Sequence, residues 1–130
     1  MIALDTNILA RYLLQDDTEQ AEQAACILES GETLFVTATV ILELAWVLKT
    51  KGRSKAEIIR GLDYLHGLPR MVWQESDALD YALKLATAGL DMADALHLAL
   101  SKGCDSLQTF DANFAARAQR ENARPAVNCI

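Results

Sequence analysis

Cysteine is scarce and badly spaced for cross-linking: Cys26, Cys104 and Cys129 are the only three, far apart and without a CxxC pair. That spacing argues against a disulfide framework and a cysteine zinc site. Small buried thiols in a reducing cytosol are the expectation instead. Positive charge is also short, with 12 Lys and Arg against 18 Asp and Glu and a formal net charge of -6. A protein that grips nucleic acid through a basic surface has the opposite balance. Chemistry on nucleic acid would have to lean on metal ions and on local basic residues; Arg11, Lys49, Lys51, Arg53 and Lys55 serve either as the border of a nucleic-acid groove or, equally well, as solvated helix faces. No apolar run approaches the ~20 residues that a membrane helix needs. Met1 leads straight into Ile2-Ala3-Leu4 with no basic segment, so no secretory signal is expected and the compartment expected is the cytoplasm. Pro and Gly number only 2 and 6 and fall at element boundaries. No repeat, linker or low-complexity segment interrupts the chain, and no Ser-His-Asp or Cys-His pattern offers a nucleophile.

What the chain does have is apolar material. Hydrophobic residues make up 52 % of its 130 positions, enough for one domain, residues 1–130, with a substantial core. Short strand signals occur at Ile2–Leu4, Thr33–Thr37, Arg70–Gln74, Ser106–Phe110 and, more weakly, Ala126–Asn128. Helical patterns lie between them at Thr6–Leu14, Asp17–Glu29, Thr39–Lys51, Ser54–Leu65, Ser76–Ala88, Asp91–Ser101 and Asp111–Arg120. Ser54-Lys55-Ala56-Glu57 fits a capping box. Strands alternating with helices predict an α/β fold with a central, mainly parallel sheet of four or five strands.

Four acids stand where such a fold places its sites, beyond the carboxyl ends of the strands. Asp5 ends the first strand, and as a carboxylate on a buried strand it would be costly without a cationic partner. Glu43 lies about a turn into the helix after the second strand. Asp111 follows Ser106–Phe110. Asp94 opens a helix that feeds that same strand, so a right-handed crossover returns its start to the same edge. Two like charges ~4 Å apart repel by roughly 4 kcal/mol at a dielectric of about 20. Gathered carboxylates therefore take up protons or bind a divalent cation, and hard oxygen ligands favour Mg²⁺, or alternatively Mn²⁺.

Each acid also has a plainer explanation. Asp5 would serve as a cap for the helix from Thr6. Glu43 would be a surface glutamate, although Val40 and Val47 share its helical face. Asp91 and Asp94 fit a helix N-cap with an acid at N3, and Asp111 fits a cap as well. Thr6, Asn7 and Thr109 serve either a ligand carboxylate or a local turn. For His97 a structural role outweighs a catalytic one; His66 reads as a solvated helix end, and Trp46 and Trp73 as core or interface aromatics.

Taken together, these segments match a known pattern. Ile2-Ala3-Leu4-Asp5-Thr6-Asn7 resembles the opening of PIN domains, and Val40-Ile41-Leu42-Glu43-Leu44 their second acidic motif. Asp91 through Ala99 is similar to their third, and Thr109-Phe110-Asp111-Ala112-Asn113-Phe114 to their fourth. Order and spacing agree along nearly the whole chain. The compact length and the Leu4-Asp5-Thr6-Asn7 start look most like VapC toxins of type II toxin–antitoxin pairs. The resemblance implies a three-layer α/β/α fold and a Mg²⁺-dependent ribonuclease, often cutting a structured RNA such as a tRNA. It also implies a homodimer held inactive by a VapB-type antitoxin protein. On it Asp5, Glu43, Asp94 and Asp111 form the acidic site, with Asp5 and Asp94 as direct metal ligands and Asp91 unassigned.

The chemistry that follows is metal-assisted phosphodiester hydrolysis, with Glu43 orienting or deprotonating the attacking water. Other classes compete with it. A haloacid-dehalogenase phosphatase would have a second Asp two residues after Asp5, where this chain has Asn7. A noncatalytic binding module would have no need of a complete acidic set. A PIN-like nuclease of RNA processing would keep the fold and change the substrate.

Overall fold

The computed structural model describes residues 1–130. In chain order the elements are β1 (Ile2–Ala3), α1 (Thr6–Leu14), α2 (Thr18–Leu28), β2 (Leu34–Val36), α3 (Ala38–Thr50) and α4 (Lys55–His66). They continue with β3 (Met71–Trp73), α5 (Ser76–Ala88), α6 (Met92–Leu100), β4 (Ser106–Thr109), α7 (Ala112–Arg120) and β5 (Ala126–Cys129). All five strands and seven helices read from the sequence form, and every strand pairing is parallel, as an α/β chain requires. Two compact units make up the chain, Met1–Ser76 and Asp77–Ile130.

In the first unit the strand order is β1-β2-β3, with Ile2 opposite Leu34 and Val36 opposite Trp73. Parallel neighbours need a crossover between them. Helices α1 and α2 supply the first, α3 and α4 the second. α1 packs on α2 and α3, and α3 on α4. Helix α3 buries Val40, Ile41, Leu44, Ala45 and Leu48, a stripe at helical spacing. Leu9, Leu34, Leu44, Leu62 and Leu65 are wholly buried, and each contributes roughly 1.5–3 kcal/mol of apolar transfer. Ser54 caps α4 through the anticipated box, accepting from the Glu57 N–H while Glu57 accepts from the Ser54 N–H. Strand β3 starts one residue later than expected because Arg70 adopts φ 66°, outside the strand region.

Strand β1 departs from the buried strand expected over Ile2–Leu4. Ile2 is 43 % exposed and only Leu4 is buried. Within its unit β1 pairs with β2 alone, so its residues are not enclosed by strands on both sides.

In the second unit β4 and β5 pair from Ser106 opposite Ala126 to Thr109 opposite Cys129. Helix α7 is their crossover and packs on both, burying Phe114, Ala115 and Ala118. Helix α5 ends in a Schellman motif: Gly89 N–H donates to the Ala86 carbonyl and Leu90 N–H to the Leu85 carbonyl, each at 3.1 Å. Gly89 sits at φ +127°, a conformation that side-chain-bearing residues rarely take. This turn sets where α6 begins, and with it the positions of Asp91 and Asp94. The three cysteines are exposed, against the expectation of buried thiols. No helix is long and apolar enough to cross a membrane.

Candidate functional site

The first unit supplies Asp5 and Glu43, and one residue touches both. Asp5 is the N-cap of α1, and its Oδ1 accepts the Thr6 N–H at 2.8 Å. The hydroxyl of Thr6 donates to Oε1 of Glu43. Thr6 is 3 % exposed and is the only buried polar residue of the chain. A buried hydroxyl without a partner is costly, and the Glu43 carboxylate provides one. Thr6 thus fixes the start of α1 against the middle of α3, with one carboxylate on its N–H and another on its hydroxyl.

Two surroundings differ from expectation. The Asp5 side chain is exposed, so the desolvation cost inferred for a buried strand end does not arise. It caps α1, and its second oxygen makes no hydrogen bond within the protein. Glu43 is exposed too, and Thr39, Trp46 and Thr50 share its open face. The apolar neighbours Val40 and Leu44 turn inward instead. Trp46 is 65 % exposed, whereas Trp73 is buried and edge-on to His66 at 5.8 Å. His66 ends α4 as expected, and there it also bonds Ser76 at 2.9 Å.

The second unit supplies Asp91, Asp94 and Asp111. Asp91 is the N-cap of α6, with Oδ1 accepting from Ala93 N–H at 3.0 Å and Asp94 N–H at 3.2 Å. Unlike Glu57 in α4, Asp94 does not return the bond to its cap residue. Its carboxylate is half-buried and uncommitted. Burial pushes the Asp94 carboxyl above its ordinary range, and the charges of Asp91 and then Asp111 push it further, while His97 and Arg117 pull it back. Asp111 is the N-cap of α7, accepting from Phe114 N–H at 3.0 Å, and its own N–H donates to Thr109 Oγ1 at 3.0 Å. Thr109 therefore serves the local turn. Three carboxylates of one unit bear on one another, and only Asp94 among them makes no side-chain hydrogen bond.

Does this donor set suit a divalent cation? The donors are carboxylate oxygens, the type that Mg²⁺ and Mn²⁺ take. Within neither unit do three or more His, Cys, Asp or Glu side chains close into a metal cage. Mg²⁺ does not ask for one, because it binds through one or two carboxylates and keeps its remaining positions for water and substrate phosphate. Asp94 fits that role: a cation beside it would offset both its desolvation and the repulsion from Asp91 and Asp111.

One cleft was not visible in the one-dimensional pattern. Gln20 and Gln23 on α2 line a cleft with Asn7 and Arg11 on α1. Exposed amides carry no periodic or charge signal, and nothing short of the packing of the two helices brings them together.

A family model described as PIN domain matches residues 2–120. No curated protein and no solved structure matches the chain.

Proposed function

Because the chain belongs to the PIN domain family, whose members are generally nucleases, we propose that it is a Mg²⁺-dependent ribonuclease in which Asp5, Glu43, Asp94 and Asp111 do the work. The observation that carries this is Asp94, a half-buried carboxylate with no hydrogen bond in its favour and two like charges against it. An Asn there would remove this cost, although Asp94 also stands in the first turn of α6, where the helix dipole favours an acid. Perturbed carboxylates of this kind mark functional positions.

Asp94 is assigned as a direct metal contact, and so is Asp5, whose second oxygen is free of the cap bond. Asp111 supports that charge, directly or through water. The bound ion supplies charge neutralisation and polarisation of the phosphodiester. Glu43 orients or deprotonates the attacking water, with Thr6 holding its Oε1 and leaving Oε2 to accept a proton. The net charge of -6 repels RNA until these carboxylates are neutralised, so metal and substrate binding are coupled.

The finer assignment follows the likeness of Leu4-Asp5-Thr6-Asn7 and the compact length to VapC-type toxins. On that basis the substrate is cellular RNA, a structured RNA such as tRNA being the type. The protein acts in the cytoplasm as a homodimer, and a VapB-type antitoxin neutralises it. Expression of the chain alone should arrest growth, and co-expression of a DNA-binding antitoxin encoded beside it should relieve the arrest. Asp5→Ala should abolish the toxicity. Normal growth with the wild-type chain at high expression would remove the toxin assignment.

A further inference from the structure

A polar cleft of about 350 Å³ opens between α1 and α2, lined by Asn7, Ile8, Arg11, Gln20, Gln23 and Ala24. Gln20 bonds the protein through its backbone N–H, to Asp17 at 3.0 Å, and not through its side chain. The side-chain amides of Asn7 and Gln23 likewise make no hydrogen bond within the protein. Arg11 is held in place: its Nη1 donates to both Asp16 oxygens, at 2.6 and 2.8 Å. Its Nε is buried and has no hydrogen-bond partner. Three amides without a protein partner therefore line a single cleft over the buried Arg11 Nε, with Ile8 as its more exposed apolar side chain.

The chemistry selects the ligand. A phosphate offers only acceptors and would leave the amide carbonyls unmatched, and Asp16 already offsets the Arg11 charge. Amides present a donor and an acceptor side by side, the pattern that matches the edge of a nucleobase. The Ile8 side chain offers an apolar contact for the ring, and an unpaired base in RNA is read by its edges in this way. The volume lies in the range of small-ligand pockets. Asn7 is in the first turn of the helix that Asp5 caps, so the cleft begins beside an acid assigned to the reaction.

We propose that the α1–α2 cleft is a nucleobase subsite, which takes one unpaired base of the RNA strand and gives the enzyme its sequence preference. The inference rests on the ribonuclease reading for its purpose and not for its test. The full chain, labelled with ¹⁵N, is titrated with adenosine, cytidine, guanosine and uridine, with ribose, and with inorganic phosphate. Nucleosides carry no charge, so the acidic chain does not repel them, and neither metal nor cleavage enters.

Saturable shifts of the Asn7, Gln20 and Gln23 side-chain amide signals are expected with at least one nucleoside and not with ribose. The Gln20→Ala, Gln23→Ala double variant should weaken that nucleoside about tenfold or more. Both side chains are exposed, so the variant keeps its fold, checked by an unchanged amide spectrum elsewhere. Absence of shifts with every nucleoside overturns the proposal. So do equal shifts with ribose, a response to phosphate alone, or undiminished binding in the double variant. A protein that binds a nucleoside here yet cleaves no RNA retains the subsite and loses the nuclease assignment. Cleavage without nucleoside binding does the reverse.

Discussion

Thr6 donates its hydroxyl hydrogen to Glu43, 37 positions further along the chain, while its own N–H is held by Asp5. Helix α1 and helix α3 are thereby joined at the two acids of the first unit, by the only buried polar residue present. Thr6→Val keeps the shape and removes the donor. It should cost about 1 kcal/mol of stability, read as a Tm lower by about 3–5 °C. RNA cleavage should fall about tenfold or more as Glu43 loses its anchor, and Thr6→Ser should restore both. Full cleavage by Thr6→Val would show that Glu43 needs no such anchor.

Asp94 makes stability depend on pH in a definite direction. Its folded pKa is raised by burial, then by Asp91 and Asp111, above the unfolded value of about 3.9. Between the two values the folded state binds more protons than the unfolded one. Stability from this group therefore falls as pH rises through that window. Asp94→Asn should remove this fall and be more stable than wild type at neutral pH, as chemical denaturation at a series of pH values would show. A parallel pH profile for the variant contradicts the assignment.

Asp91 separates capping from charge. Asp91→Ser keeps an N-cap for Ala93 and Asp94, whereas Asp91→Ala loses it at a cost of about 1 kcal/mol. Both remove a negative charge that raises Asp94, so both should lower the Asp94 pKa, measured by carboxyl ¹³C titration. Cleavage retained in Asp91→Ser and reduced in Asp91→Ala would make Asp91 a cap and exclude it as a ligand.

Divalent cation should act on stability before it acts on RNA. A ligand at about ten times its Kd adds roughly 1.4 kcal/mol to the folded state. Mg²⁺ should thus raise the wild-type Tm at neutral pH, and the rise should shrink in acid as Asp94 takes up a proton. Asp94→Asn should show little of it. An equal Tm rise in that variant would place the cation elsewhere.

Much of this was legible in one dimension because it rests on local chemistry. Ser54 and Glu57 announce their box by spacing, Gly89 ends α5 where only glycine sits comfortably, and the five strands are separated by helices as the α/β pattern predicts. The acids were legible as positions and not as environments. Asp91 and Asp94 read alike as cap and N3 acid, and only in the folded chain does Asp94 leave its cap bond unmade. Asp5 and Glu43 were expected among apolar neighbours, yet both are exposed: β1 has one partner strand in its unit, and α3 turns Val40, Ile41, Leu44 and Leu48 inward. The Thr6–Glu43 bond and the α1–α2 cleft depend on tertiary packing between helices, to which no periodicity in either helix points.

The most direct measurement is cleavage of RNA by the wild-type chain and by Asp94→Asn, each with Mg²⁺ and with EDTA. The account predicts cleavage by wild type with Mg²⁺ only, and a loss of at least about a hundredfold in Asp94→Asn. Equal cleavage in EDTA, or an Asp94→Asn enzyme as active as wild type, contradicts it.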